Sequence, residues 1–158
     1  MKKILISSVV FIVILDQWTK LYIKNNFDLY ELRPVIDGFF SITYVLNPGA
    51  AFGMLAKLDD SYRQGFFVII TAVAILAVIY LMSKEKDMKI RLVSYTLILA
   101  GAIGNFIDRI YIGKVVDFLH FYYKQYQWPA FNVADIAISV GIGILFLDYI
   151  ILSNRSKR

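Results

Sequence analysis

Residues Val115–Asp135 read V-V-D-F-L-H-F-Y-Y-K-Q-Y-Q-W-P-A-F-N-V-A-D. Two carboxylates, Asp117 and Asp135, bracket an aromatic segment between two apolar runs. Each acid therefore falls where a chain leaves or enters a membrane. An ionised group at such a depth costs several kcal/mol unless it is paired, so an acid there points to a functional site. Two of them point to a pair sharing one proton.

On either side of this stretch the chain is too apolar for an ordinary soluble domain. Its 158 residues are 59% hydrophobic, with mean hydropathy +0.63. The continuous apolar runs indicate a polytopic membrane protein, and the length suits one domain, residues 1–158. Spans are expected at about residues 4–23, 66–82, 92–108 and 133–152, with segments outside the bilayer at about 25–63 and 110–132. There is no cysteine, which removes disulfides, thiolate metal sites and a cysteine nucleophile. The lone His120 cannot build a multi-histidine metal site.

A net charge of +5 would suit a nucleic-acid binder, but its placement argues against one. Lys2 and Lys3 precede the first span. Lys84, Lys86, Lys89 and Arg91 lie between the second and third, and Arg155, Lys157 and Arg158 follow the last. These are alternate sides of a four-span protein, so the excess follows the positive-inside rule and puts both termini in the cytoplasm. The M-K-K start and the apolar stretch Ile4–Leu15 mimic a signal peptide. No small-x-small site follows, so a retained first span is expected.

Asp16 and Lys20 interrupt the first span at i, i+4 spacing. They share a helix face and can pair, with Lys20 snorkelling outward as the structural alternative. Asp37-Gly38 reads as a turn, and Phe39–Leu46, rich in β-branched and aromatic residues, as a strand of a small sheet lying on the membrane. By spacing alone, N-P-G-A-A-F-G at Asn47–Gly53 is a turn leading into a surface helix, Met54–Tyr62. The second span has only Thr71 as a polar interruption and reads as scaffold facing lipid. The third offers Ala100, Gly101 and Gly104 for close packing and ends in G-N-F-I-D-R, where an Asp108–Arg109 salt bridge is expected to fix the helix end. The aromatics from Tyr111 to Phe131 read as an interfacial loop lying flat at headgroup level. In the fourth span Gly141 and Gly143 suggest tight packing, and Asp148 is expected at the interface with no role.

Depth links these groups. At about 1.5 Å per helical residue, Asp16 lies about 18 Å, Asn105 about 20 Å and Asp135 about 25 Å from the cytoplasmic ends of their spans. All three fall in the outer third of a core of about 30 Å, and Asp117 enters from the loop at similar depth. Scattered structural acids would not converge so. Two carboxylates held close cannot both ionise easily, and burial raises the pKa further. One stays protonated while the other accepts a proton, which suits amide hydrolysis by activated water without a covalent intermediate. Asn105 and Asn132 can orient the acids and the substrate.

Five blocks carry a wider likeness: D-Q-W-T-K at Asp16–Lys20, N-P-G-A-A-F at Asn47–Phe52, G-N-F-I-D-R at Gly104–Arg109, V-V-D-F at Val115–Phe118 and F-N-V-A-D at Phe131–Asp135. Each is weak alone. In this order on four spans, they make the chain resemble the bacterial lipoprotein signal peptidase family, or signal peptidase II, over nearly its whole length. The resemblance implies an α-helical membrane protein with four transmembrane helices, a small extracytoplasmic β-sheet forming a cradle, and a short interfacial helix. It implies an aspartic endopeptidase with Asp117 and Asp135 as catalytic dyad and no cofactor or metal. Asn47, Gly49, Asn105, Asp108, Arg109 and Asn132 would line or brace the site, and Asp16 and Lys20 would support it. The substrate would be a diacylglyceryl-modified prolipoprotein, cut before its lipidated cysteine. Globomycin-type inhibitors and membrane lipids would be further partners, nucleic acid would not, and a monomer in the bacterial inner membrane is expected.

Other readings fit less well. A proton-coupled transporter would place an acid near the midplane, whereas these gather toward one face. Asp117 and His120, three apart, could share a helical face around a metal, although His120 reads better as an interfacial loop residue. A non-catalytic assembly subunit leaves the clustered polar groups unexplained.

Overall fold

The computed structural model describes residues 2–49, 59–85 and 88–155. Four long helices carry the apolar runs: α1 (Lys2–Asn26), α2 (Asp60–Lys84), α3 (Lys89–Ile112) and α4 (Val133–Arg155). Each contains a stretch long and apolar enough to cross a membrane. At 25 residues, α1 and α2 reach about 37 Å, more than the hydrocarbon thickness of about 30 Å. The helices therefore extend past the expected spans. α2 starts at Asp60, capped by the Asp59 carboxylate, which accepts from Ser61 N at 2.9 Å. The surface helix expected at Met54–Tyr62 lies outside the described residues, apart from Asp59, which caps α2, and Asp60–Tyr62, which already belong to it. Ala50–Gly53 lie outside them as well.

α3 is the central helix and packs against the other three. Its small residues explain this. Gly101 lies against the Ala134 carbonyl and Ile138 of α4, and Gly104 against Asp16 of α1, where a Cβ would stand 2.5 Å from Oδ2. Gly141 of α4 closes on Ser94 and Ile98 of α3 in the same way, whereas Gly143 has open space in front of it and contributes nothing to packing. Apart from Arg63 near its start, α2 buries no residue within the protein, as expected of a helix whose surroundings are lipid.

Between these helices four strands form one antiparallel sequence of neighbours, β1 (Leu32–Ile36), β2 (Phe40–Asn47), β3 (Val115–Tyr123) and β4 (Tyr126–Gln127). β2 matches the strand expected at Phe39–Leu46. β1 carries Pro34 and is exposed along its length, which a sheet tolerates at an edge. The aromatic segment is where sequence and structure part. Much of the expected flat loop is β3 and β4, with β3 paired to β2 from Phe40↔Phe121 to Asn47↔Val115. Its V-V-D-F-L-H-F-Y-Y run has the β-branched and aromatic residues that fit a half-buried pleated surface. Gly113, at φ 71°, ends α3 in the left-handed conformation and lets the chain turn directly into β3.

The sheet sits on one end of the bundle. Ile23 of α1 and Val116 and Phe118 of β3 form a buried cluster, with Phe27, Tyr44, Leu46 and Val133 packed around it. That cluster fixes β3 against the end of α1 and the start of α4. The opposite end of the bundle is tied by charge. Arg91 Nε donates to Asp148 Oδ2 at 2.7 Å, and its Nη1 lies 3.6 Å from Glu85. Asp148 is therefore buried in an ion pair rather than free at the interface.

Candidate active site

Asp117 is placed by β3 and its register. Val45 stands opposite it on β2, and Asn47, two residues on, shares that face. Asn47 Nδ2 donates to Asp117 Oδ2 at 2.9 Å, and Asn132 Nδ2 to Asp117 Oδ1 at 2.7 Å. The carboxyl is only 2% exposed. Burial, the largest influence, pushes it up to about 7; the Asp135 charge adds to this, while the Asn47 and Asn132 hydrogen bonds and Lys20 oppose it. The Asn47 carbonyl oxygen in turn accepts from Gly49 N at 2.9 Å, which orients the amide.

Asp135 is placed by the start of α4. Asn132 Oδ1 accepts from Asp135 N at 2.9 Å, and Asp135 Oδ2 accepts from Asn132 N at 3.3 Å. This is a reciprocal capping box, with an acid three residues after the capping asparagine. Asn105 Nδ2 donates to Asp135 Oδ1 at 2.7 Å. Asn132, fully buried, is thus bonded to both acids. Its Nδ2 also lies 3.2 Å from Asn105 Oδ1, so one network joins both acids and both asparagines.

Behind the pair stands a buried ionic cluster. Lys20 Nζ lies 2.8 Å from Asp16 Oδ2 and 3.1 Å from Asp108 Oδ2, and donates to Asn105 Oδ1 at 3.0 Å. Lys20 is 3% exposed, so it does not snorkel. The carboxylates also hold backbone: Asp16 Oδ1 accepts from Ala134 N at 2.9 Å and Asp108 Oδ2 from Val116 N at 3.0 Å. The cluster therefore clamps the first turn of α4 and the first residues of β3, the two segments carrying Asp135 and Asp117.

The Asp108–Arg109 bridge does not form. Adjacent helical residues do not face one another. Asp108 turns to Lys20, while Arg109 lies over the Phe67 ring at 5.6 Å, and its Nη1 donates to Asn105 O at 3.4 Å. From there its charge acts on Asp135 and Asp117. Asp117 and His120 do not share a face either. Three residues apart on a strand, they point to opposite sides of the sheet. His120 stacks on Tyr122 at 5.4 Å instead.

Sequence reasoning missed Gln17. Its Nε2 lies 3.1 Å from each of Asp16 Oδ2, Gly104 O and Asp108 Oδ1, tying α1 to α3 beside Lys20. A polar residue next to Asp16 inside an apolar span was the available signal. The capping box was also readable as N-V-A-D. Asp135 itself is half-buried and opens on a cleft of about 440 Å³, lined by Trp128, Pro129, Phe131, Ile136, Ser139 and Val140 among others. The site thus pairs one enclosed acid with one that a substrate can reach.

Comparison with known proteins bears on this geometry. The family described as signal peptidase (SPase) II matches residues 8–151. The lipoprotein signal peptidase of Syntrophus aciditrophicus (strain SB) is 48% identical over 140 residues, covering 88% of this chain and 87% of that protein. The lipoprotein signal peptidase of Geobacter metallireducens is 47% identical over 147 residues, covering 92% and 90%. A solved bacterial membrane enzyme, determined by the in meso method at 2.3 Å resolution, superposes with TM-score 0.85 at 34% identity, covering 99% of this chain and 92% of that one. Together with the four spanning helices, these matches make the chain a multi-pass membrane protein.

Proposed function

The chain belongs to the signal peptidase II family, and from that premise we propose that it is a single-domain intramembrane aspartic endopeptidase with Asp117 and Asp135 as its catalytic pair. It removes the signal peptide from prolipoproteins, cutting before a cysteine that already carries diacylglycerol. The observation that carries this reading is that one buried asparagine, Asn132, donates to both carboxylates, through its side-chain Nδ2 to Asp117 and through its backbone N to Asp135. The Asp135 charge also acts on Asp117, which supports a pair of acids sharing one proton.

The proton rests on Asp117, which burial pushes up to about 7. Asp135, in the first turn of α4, opens on the cleft and is placed to act as the base. Ionised Asp135 takes a proton from water as the oxygen attacks the scissile carbonyl. Asp117 gives its proton to the carbonyl oxygen. Collapse of the tetrahedral intermediate returns that proton to Asp117, and Asp135 passes its own to the departing cysteine nitrogen. Arg109 holds positive charge near the pair and steadies the developing oxyanion. Asn47, Gly49, Asn105, Asp108 and Asn132 line or brace the pair, with Asp16 and Lys20 behind them.

Charge placement along the sequence supports an inner-membrane protein with cytoplasmic termini and the sheet on the outer face. A lipid-anchored cysteine would reach Asp135 through the cleft there, and a globomycin-type inhibitor would compete for the same place. Every group named comes from one chain, in keeping with a monomer among membrane lipids.

Purified protein in detergent is expected to cleave a diacylglyceryl-modified prolipoprotein before the modified cysteine, with and without a chelator, and to leave the unmodified precursor intact. No cleavage, or cleavage abolished by the chelator, would refute the reading. The pH profile provides a second prediction. Asp117 is protonated below about 7 and ionised above it in the free protein, so kcat/KM should fall along an alkaline limb centred near 7. The sign for stability follows from the same shift. Between the ordinary value of 3.8 and about 7 the folded state binds more protons than the unfolded, so stability falls as pH rises through that window. A rate that keeps rising beyond pH 8 would contradict the assignment of the proton to Asp117.

A further inference from the structure

Besides Asp135, the lining of the cleft carries two side chains with a hydrogen-bonding group, the Trp128 indole and the Ser139 hydroxyl. Ser139 lies one helical turn from Asp135 on α4, so the two share a face about 5.4 Å apart along the axis. Hydroxyls within apolar helices usually turn back to a carbonyl of their own helix. Among the described residues six do so: Ser8, Thr19, Thr71, Ser83, Ser94 and Thr96 each bond a carbonyl three or four residues earlier. Among the described residues Ser139 has no such partner, and its hydroxyl stands exposed in the cleft. Ile136 and Val140 beside it, with Pro129, Ala130 and Phe131, make the rest of that wall apolar.

We propose that Ser139 is a substrate-positioning residue whose hydroxyl donates a hydrogen bond to a main-chain carbonyl of the signal peptide, on the membrane side of the scissile bond. The proposal rests on the peptidase reading of the site. Ser139 lies deeper than Asp135, counted along α4 away from the sheet, and the substrate segment on that side is the apolar signal peptide. An extended chain advances about 3.3 Å per residue. One helical turn therefore reaches the carbonyl one or two residues before the one that is cut. An extended segment in a dry cleft needs such a donor, because an unpaired carbonyl there is costly. The bond forms in the ground state and persists in the transition state, so it lowers KM without raising kcat.

The test is steady-state kinetics with a diacylglyceryl-modified substrate and with an analogue whose two chains are ether-linked and lack ester carbonyls. Ser139→Ala should raise KM about tenfold on both substrates, with kcat within about twofold and the alkaline limb unmoved. Ser139→Thr, which restores the hydroxyl, should keep KM near that of the unsubstituted protein. Three results would overturn the proposal: an unchanged KM in Ser139→Ala, a fall in kcat alone, or a KM effect that disappears with the ether-linked analogue. The last would assign the acceptor to the lipid ester. If Ser139→Ala unfolds at lower temperature, the Thr variant decides, since a threonine with raised KM also overturns the proposal. Failure of the unsubstituted protein to cleave either substrate would strike the peptidase reading itself; normal cleavage with an inert Ser139 strikes this inference alone.

Discussion

Asp117→Asn and Asp135→Asn are each expected to lower kcat by about 10³-fold or more, since each removes a proton-transfer step that contributes 10²–10⁴-fold. The two variants should fail for different reasons. At position 117 both oxygens accept from amide nitrogens, those of Asn47 and Asn132. An asparagine there sets an NH₂ against a second donor and leaves a buried amide unpaired, at about 1–3 kcal/mol. It also removes the acid that protonates the carbonyl, so the alkaline limb near pH 7 should vanish from any residual activity. At position 135 the loss is the general base. Asp135→Glu keeps a carboxylate but moves it by about one bond length, which should still cost about 10²-fold. Cleavage by the purified variants, together with thermal unfolding in the same detergent, checks this. More than a tenth of the original kcat in either folded asparagine variant would remove that acid from the mechanism.

The second large effect is on stability. Lys20→Met is expected to lower unfolding free energy by about 3–5 kcal/mol, the penalty for stranding buried charge. Two carboxylates lose their counter-ion at once, Asp16 and Asp108, which lie 2.8 and 3.1 Å from Nζ. For a chain of this length the apparent Tm should fall by about 10 °C or more. Activity should fall as well, because those carboxylates hold Ala134 N and Val116 N, the backbone beside Asp135 and Asp117, the proposed catalytic acids. Adding Asp108→Asn to Lys20→Met should restore part of the stability by removing one stranded charge. A Lys20→Met variant that melts with the unsubstituted protein would show that the cluster contributes no net stability.

Much of this was legible in the residues. The apolar runs set the four helices, and the cost of polar groups at depth puts Asp16, Asn105, Asp117 and Asp135 at one level, with Lys20 and Asn132 beside them in sequence. Hydrogen bonds then join all of them in the structure. What escaped were matters of direction and pairing. Val115–Tyr123 has the composition both of an interfacial belt and of a strand, and only its pairing with β2 decides between them. Composition gives no sign that Leu32–Ile36, with its proline, is an edge strand. The pairing of Asp108 and Arg109 was inferred from adjacency, yet consecutive helical positions diverge and the lysine on another helix takes the acid. Gly143 looked like Gly141, but only the second meets a neighbour. Gln17 was overlooked because an uncharged amide beside an aspartate draws less notice than the charge itself.

The capping box at the head of α4 has a consequence in time. Asp135 gains its geometry from the same two bonds that start the helix, and α4 follows the other three helices along the chain. Asp135 follows Asp117 by 18 residues, so the pair cannot be complete until the head of α4 has been made. Proteolytic competence then arrives in a single late step, when the last span winds its first turn against Asp16 and Asn105. A nascent chain is inert until that moment, and one that fails to insert α4 stays inert. On the proposed assignment, activity is coupled to the insertion of the last span.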